Sequence, residues 1–187
     1  MLFRSVVETR APLGGVQHAK FWLLRYESEE QGQQAIFRLF VTSRNLTGDR
    51  SWDIALQLDG KVTGRNHAVN RPFADLLTTL PQLALREISE HAKAQAARLS
   101  DEFKRVEWEL PSGFEDLSFH VLGVKRKPWL PAASQQLVVV SPFVGGEALR
   151  QLAATTREPI ALVSRSEELD RLPPEARALF SSVRVLH

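Results

Sequence analysis

At 187 residues, with 43% hydrophobic and 25% charged side chains, the chain is long enough for one sizeable core or for parts of two domains. It contains no cysteine, which excludes a disulfide framework, a thiolate metal site and a cysteine nucleophile. Twenty-four Lys and Arg against 22 Asp and Glu leave a net charge of +2, too close to balance to name a partner.

The first residues, MLFRSVVETR, carry charge too early for a secretory leader. No apolar run reaches the roughly 18–20 residues that a membrane helix needs, so no membrane span is expected and the cytoplasm is the default compartment. Residues 16–26 and 35–43 are apolar at both parities, the pattern of strands buried on both faces. The polar residues 27–34, which include Gly32, predict a hairpin connection between them. After the turn-rich LTGDRS, residues 52–58 alternate, with Trp52, Ile54, Leu56 and Leu58 on one face of a third strand. Residues 73–85 predict a helix interrupted by Pro81. Residues 86–106 predict a second, with Ile88, Ala92, Ala96, Leu99, Phe103 and Val106 along its apolar side. Residues 117–124 read as a further strand, and residues 125–134, with Pro128 and Pro131, as a linker.

A βαβαβ rhythm follows. Residues 137–140 predict a strand, 147–154 a helix and 159–163 a strand. A helix capped by Ser166, another opened by Pro174 and a last strand at 183–186 complete it. The expected fold class is α/β, a mixed β-sheet with flanking helices.

The chemistry concentrates in two apolar runs, VQHAKFWLL and AIFRLFVTSRN. On a strand, His18 and Lys20 are two residues apart and share a face, setting an imidazole beside an ammonium. That pair suits an oxyanion better than a metal. Ser43 and Asn45 share a face by the same spacing and are expected at the same patch. His91-Ala92-Lys93 repeats the tripeptide in a predicted helix, where residues two apart diverge by about 200° and cannot converge. Other candidates carry less. Gly145-Gly146 precedes a helix and reads as an ordinary turn or an anion-binding end, without the Lys-Ser/Thr of a P-loop. His67 and His120 have no partner at metal-ligand spacing, and Lys125-Arg126-Lys127, the only tight basic cluster, reads as a solvated turn.

His18-x-Lys20 followed by Ser43-x-Asn45 resembles the active-site motif of the phospholipase D superfamily. The stretch FRLFVTSRNLTGDRSWDIAL is most similar to its nuclease-like bacterial members. The resemblance is strong over residues 13–60 and fainter over 137–187. It implies a site in which two HxK motifs, from two domains or two subunits, meet about a pseudo-twofold axis. One His attacks phosphorus and becomes a phosphohistidine, while the other protonates the leaving oxygen and then activates water. Lys20 and Asn45 would hold the non-bridging oxygens, Ser43 would support them, and Asp53 would orient a catalytic His. No metal or other cofactor is implied. The fuller family motif has an Asp where this chain has Arg25; the shorter form in the tyrosyl-DNA phosphodiesterase branch lacks it.

The last predicted strand ends on His187, as GGVQ leads into His18, which makes His187 a candidate start of the second motif. Residues 1–124 would then be the C-terminal part of one family domain and 135–187 the N-terminal part of the next, an incomplete two-domain arrangement. A homodimer pairing two His18 half-sites, or a C-terminal half beyond His187, would complete the site. The expected function is metal-independent phosphodiester hydrolysis, with DNA or RNA as substrate. The alternatives are a phospholipid phosphodiesterase or phosphatidyl transferase, and a catalytically incomplete module that grips phosphate or nucleic acid.

Overall fold

The computed structural model describes residues 6–12, 15–30, 32–45, 48, 53–124 and 129–186. The chain is mixed α/β and divides into two compact units, Met1–Pro128 and Trp129–His187. Its strands form two separate sheets rather than one mixed sheet. The connections explain the division: neighbouring strands of the first unit run antiparallel, whereas helical crossovers make the second parallel.

In the N-terminal unit, β1 (Phe21–Tyr26), β2 (Ile36–Thr42), β3 (Ala55–Val62) and β4 (Val106–Glu109) form an antiparallel sheet in that order. The expected hairpin joins β1 to β2, and Gly32 in its loop adopts a φ of 89°, which favours glycine. Leu23 lies opposite Leu39, which lies opposite Leu58. This inner face meets α1 (Arg71–Thr79) and α2 (Glu90–Phe103) in a core of Phe37, Leu39, Leu58, Phe73, Leu77, Phe103 and Val106. Phe73 and Phe103 stack with ring centroids 4.7 Å apart, and Phe103 also meets Trp108 at 5.2 Å. The outer face corrects the expectation of strands buried on both sides. Trp22 is 52% exposed and Tyr26 47%, with Leu24 and Ile36 also open.

Helix α1 stops at Thr79 and a 3₁₀ turn, Leu80–Leu83, carries Pro81, as the interruption predicts. Helix α2 begins where the Ser89 hydroxyl accepts the Ala92 N–H. It ends at Phe103, so Val106 belongs to β4 and not to the helix. The VEWE alternation of this strand was hidden inside the longer helical period. Its neighbour Gly60 has no room for a side chain, since a Cβ there would lie 2.6 Å from Val106 Cγ1 and 2.7 Å from the Glu107 carbonyl. Residues 117–124 form no strand. Leu117, Phe119 and Val121 alternate as expected, but they pack on the aromatic core instead of joining a ladder.

Arg25, on the inner parity of β1, is joined to Glu102 of α2 by both guanidinium arms. Arg98 donates to the same carboxylate at 3.1 Å and to Glu27 at 2.7 Å. Burial pushes the Glu102 carboxyl up, but the hydrogen bonds from Arg25 and Arg98 outweigh it and hold the group below the usual carboxylate range. A depressed pKa contributes stability above the unfolded value and loses it as pH falls through the folded one. Glu102→Gln is therefore expected to cost about 2 kcal/mol at pH 7, because Arg25 is left half-covered beside one remaining carboxylate. The penalty should shrink as pH falls below about 4.5, into the range where Glu102 itself protonates. Urea midpoints of both proteins from pH 7 to pH 3 measure it; a penalty that does not change with pH would refute the assignment.

In the C-terminal unit, β5 (Ser134–Val140), β6 (Thr156–Ser164) and β7 (Ser182–Val185) form a parallel sheet in sequence order. Helix α3 (Gly146–Ala153) crosses from β5 to β6, and α4 (Ser166–Arg171) and α5 (Pro174–Arg177) from β6 to β7. Leu149, Leu162, Leu169, Leu172 and Phe180 form its core. The βαβαβ expectation holds, with three shifts. β5 starts at Ser134, ahead of Leu137 and within the expected linker 125–134. β6 starts at Thr156, ahead of Pro159, and Ser166 is the first residue of α4 while Arg165 occupies the cap. Among the described residues, no helix is long and apolar enough to cross a membrane.

Candidate active site

The sheet register brings the candidate residues of the first unit to one end. Phe21 pairs with Val41 and Thr42 with Ala55, so the entrance to β1, the exit of β2 and the entrance to β3 lie side by side. The ladder continues one step past β1, where the Thr42 N–H donates to the Lys20 carbonyl at 3.0 Å. Beyond β2, the Ser43 N–H donates to the Ile54 carbonyl at 3.0 Å.

His18 and Lys20 are together, but for a different reason from strand alternation. Residues 15–20 are not strand. The Lys20 ammonium instead reaches back, donating to the His18 carbonyl at 2.8 Å and lying 3.1 Å from its ring Nδ1. An ammonium has only donors, so Nδ1 is the acceptor in this contact. The neutral ring then carries its hydrogen on Nε2, on an exposed side chain. For Nε2 to attack phosphorus its lone pair must be free, which requires the other tautomer. A phosphate that drew Lys20 away would release Nδ1 and permit that exchange.

Ser43 and Asp53 form a second pair. The Ser43 hydroxyl donates to the Asp53 carboxylate and accepts the Ile54 N–H at 3.2 Å. The bond from Ser43 holds the exposed Asp53 carboxyl below the usual carboxylate range, with a smaller contribution from Arg44. Among the described residues, no hydrogen bond joins this pair to His18 or Lys20. Asp53 thus engages Ser43, not an imidazole. Asn45 is exposed at the same end, three residues past β2, and because the strand stops at Thr42 the face it shares with Ser43 is not fixed by pleating. The Thr42 hydroxyl closes this turn on the Arg44 carbonyl at 2.7 Å.

Arg25, where the resembled motif would have an Asp, faces the core and is committed to Glu102 and Glu27. His91 and Lys93 lie in α2 and diverge as expected: Lys93 meets Glu90 at 2.7 Å, and His91 Nε2 lies 3.5 Å from Gln95. Trp52, His187 and the Lys125-Arg126-Lys127 cluster lie outside the described residues. Gly145 caps α3 without a side-chain bond. Among the described residues, no three His, Asp or Glu side chains gather to hold a metal ion.

A feature that sequence reasoning missed is Asn70. It is fully buried, and its Nδ2 donates to the Phe103 and Val106 carbonyls at 2.9 and 2.7 Å. Its Oδ1 accepts the Trp108 indole N–H at 2.9 Å. It ties α1 to the turn between α2 and β4. Ahead of Arg71-Pro72 it has the sequence signature of a helix cap, yet it makes no side-chain cap bond. A scan against protein-family models and searches of the curated proteins and of the solved structures find no match to this chain.

Proposed function

We propose that the chain carries one half-site of a phosphodiesterase that cleaves nucleic acid through a phosphohistidine. His18 Nε2 attacks phosphorus, the N–P bond forms, and the P–O bond to the leaving group breaks. A second imidazole, from another copy of the chain or a further motif, gives its proton to that leaving oxygen. It then takes a proton from water as the water attacks phosphorus and the N–P bond breaks. Lys20 and Asn45 hold the non-bridging oxygens as charge builds on them, and Ser43 supports the same group by turning its one hydroxyl proton from Asp53 to the phosphate.

The observation that carries this reading is the Lys20 ammonium 3.1 Å from the His18 ring, at the end of the sheet where Ser43 and Asp53 also lie. A cation beside a solvent-facing imidazole, free to swing onto a phosphate, fits an oxyanion substrate. The choice of nucleic acid over lipid rests on the resemblance of the FRLFVTSRNLTGDRSWDIAL stretch.

The purified chain should cleave labelled DNA or RNA in the presence of excess EDTA, with activity eluting at dimer size on gel filtration. Activity abolished by EDTA would overturn the mechanism. Turnover of phosphatidylcholine vesicles without any on nucleic acid would overturn the substrate.

A further inference from the structure

Strand β3 runs away from the candidate site, and at its far end the chain enters a loop that is fastened down. The Thr63 N–H and hydroxyl both donate to the Arg105 carbonyl, at 2.8 and 2.9 Å. The His67 N–H donates to the Lys104 carbonyl at 2.8 Å, and Asn70 adds its bonds to Phe103 and Val106. This loop is strongly one-signed. Between Gly60 and Ala74 the chain has Lys61, Arg65, His67 and Arg71 and no carboxylate, and the turn bonded to it contributes Lys104 and Arg105. The four in the loop and the Lys104–Arg105 pair are far apart in sequence and meet only through the fold, so the six form no basic run.

The neighbouring acids offset only part of this charge. Asp101 pairs with Arg105 at 3.1 Å, and Glu102 is held by Arg25 and Arg98. Glu107 lies across the ladder from Lys61, and Asp75 lies one turn beyond Arg71 on α1. Arg65, Arg71 and Lys104 make no ion pair among the described residues, and both arginines are exposed. Two exposed arginines and a half-buried lysine stand on a backbone already fixed by hydrogen bonds, so meeting an anion orders only their side chains. Guanidinium groups in particular match phosphate oxygens.

We infer that the Thr63–Arg71 loop and the Lys104–Arg105 turn form an anchoring surface for the phosphate backbone of nucleic acid, remote from the site of cleavage. The choice of nucleic acid over another polyanion rests on the function proposed above. The eight residues of β3 separate the two places. At about 3.3 Å per residue the span is roughly 26 Å, which corresponds to about eight base pairs of duplex. A substrate shorter than this reaches only one of the two.

The test is equilibrium binding of a labelled duplex of about 20 base pairs across a salt series, for the full chain and for Arg65→Ala/Arg71→Ala/Lys104→Ala. The slope of log affinity against log salt should fall by about 2–3 in the triple variant, near 0.9 per lost phosphate contact. The exchanged variant Arg65→Lys/Arg71→Lys/Lys104→Arg, which keeps every charge, should restore it and control for folding. Cleavage of a hairpin with a stem of about five base pairs, too short to span both places, should show no difference. An unchanged slope in the alanine variant, or an equal loss on the short hairpin, would overturn the anchoring surface; so would tight binding of anionic phospholipid vesicles with none of duplex. A slope change in a chain that never cleaves would support the anchor while refuting the nuclease, so the two failures are distinguishable.

Discussion

His18→Ala is expected to lower phosphodiester turnover at least about 10³-fold, while His91→Ala leaves it within about twofold. The two histidines begin the same tripeptide, so only their placement can separate them. His18 has the Lys20 ammonium 3.1 Å from its ring. His91 stands on a helix whose Lys93 is turned to Glu90. On the proposed mechanism, His18→Ala removes the covalent step itself, which no neighbouring donor can replace. The comparison is made at saturating substrate, with thermal unfolding confirming that both variants fold. Equal losses in the two variants would show that placement beside Lys20 carries no chemistry.

Asn70→Asp is expected to destabilise the N-terminal unit by about 3–5 kcal/mol at pH 7. The fully buried amide donates to two main-chain carbonyls and accepts from the half-buried Trp108. A carboxylate has no proton to donate, and it sets its charge against the Phe103 and Val106 carbonyl oxygens. Burial raises the pKa of the introduced acid in the folded state, so the variant should recover part of its stability as pH falls and the acid becomes neutral. Urea unfolding at pH 7 and pH 4 measures both effects; a loss under about 1 kcal/mol at pH 7 would show that the amide is not the tie described.

The two variants probe features that differ in how far the sequence discloses them. The β1–β2 hairpin was legible because Gly32 and its polar neighbours interrupt two apolar runs. The C-terminal βαβαβ order was legible because its helices carry punctuation, Gly145 capping α3 with Gly146 opening it, and Pro174 at the start of α5. In both cases the signal is local. Asn70 and Arg25 were not legible, since the carbonyls of Phe103 and Val106 and the carboxylate of Glu102 reach them only through the tertiary fold. Strand β4 was lost for a related reason, because Val106 continues the helical period of α2 and nothing before Lys104 announces the stop.

The candidate site divides in the same way. Strand alternation was expected to set Lys20 beside His18; the two are together, but through a bond from the lysine back onto the His18 carbonyl and not through a strand. The Ser43–Asp53 bond could be read only once β2 and β3 were paired in register, since ten residues separate the two side chains. The outer face of the sheet, apolar at Trp22, Leu24 and Tyr26 and yet open, looked in the sequence like a buried one because hydrophobicity marks what a surface prefers and not what covers it.

The most direct test of the phosphohistidine mechanism is to trap the intermediate. The chain is incubated in EDTA with an oligonucleotide labelled at the scissile phosphate, quenched in base and mapped by mass spectrometry. The mechanism predicts a base-stable, acid-labile adduct on His18 that disappears in His18→Ala and persists in His91→Ala. Cleavage that proceeds under the same conditions with no adduct, or with the label on another residue, would contradict it.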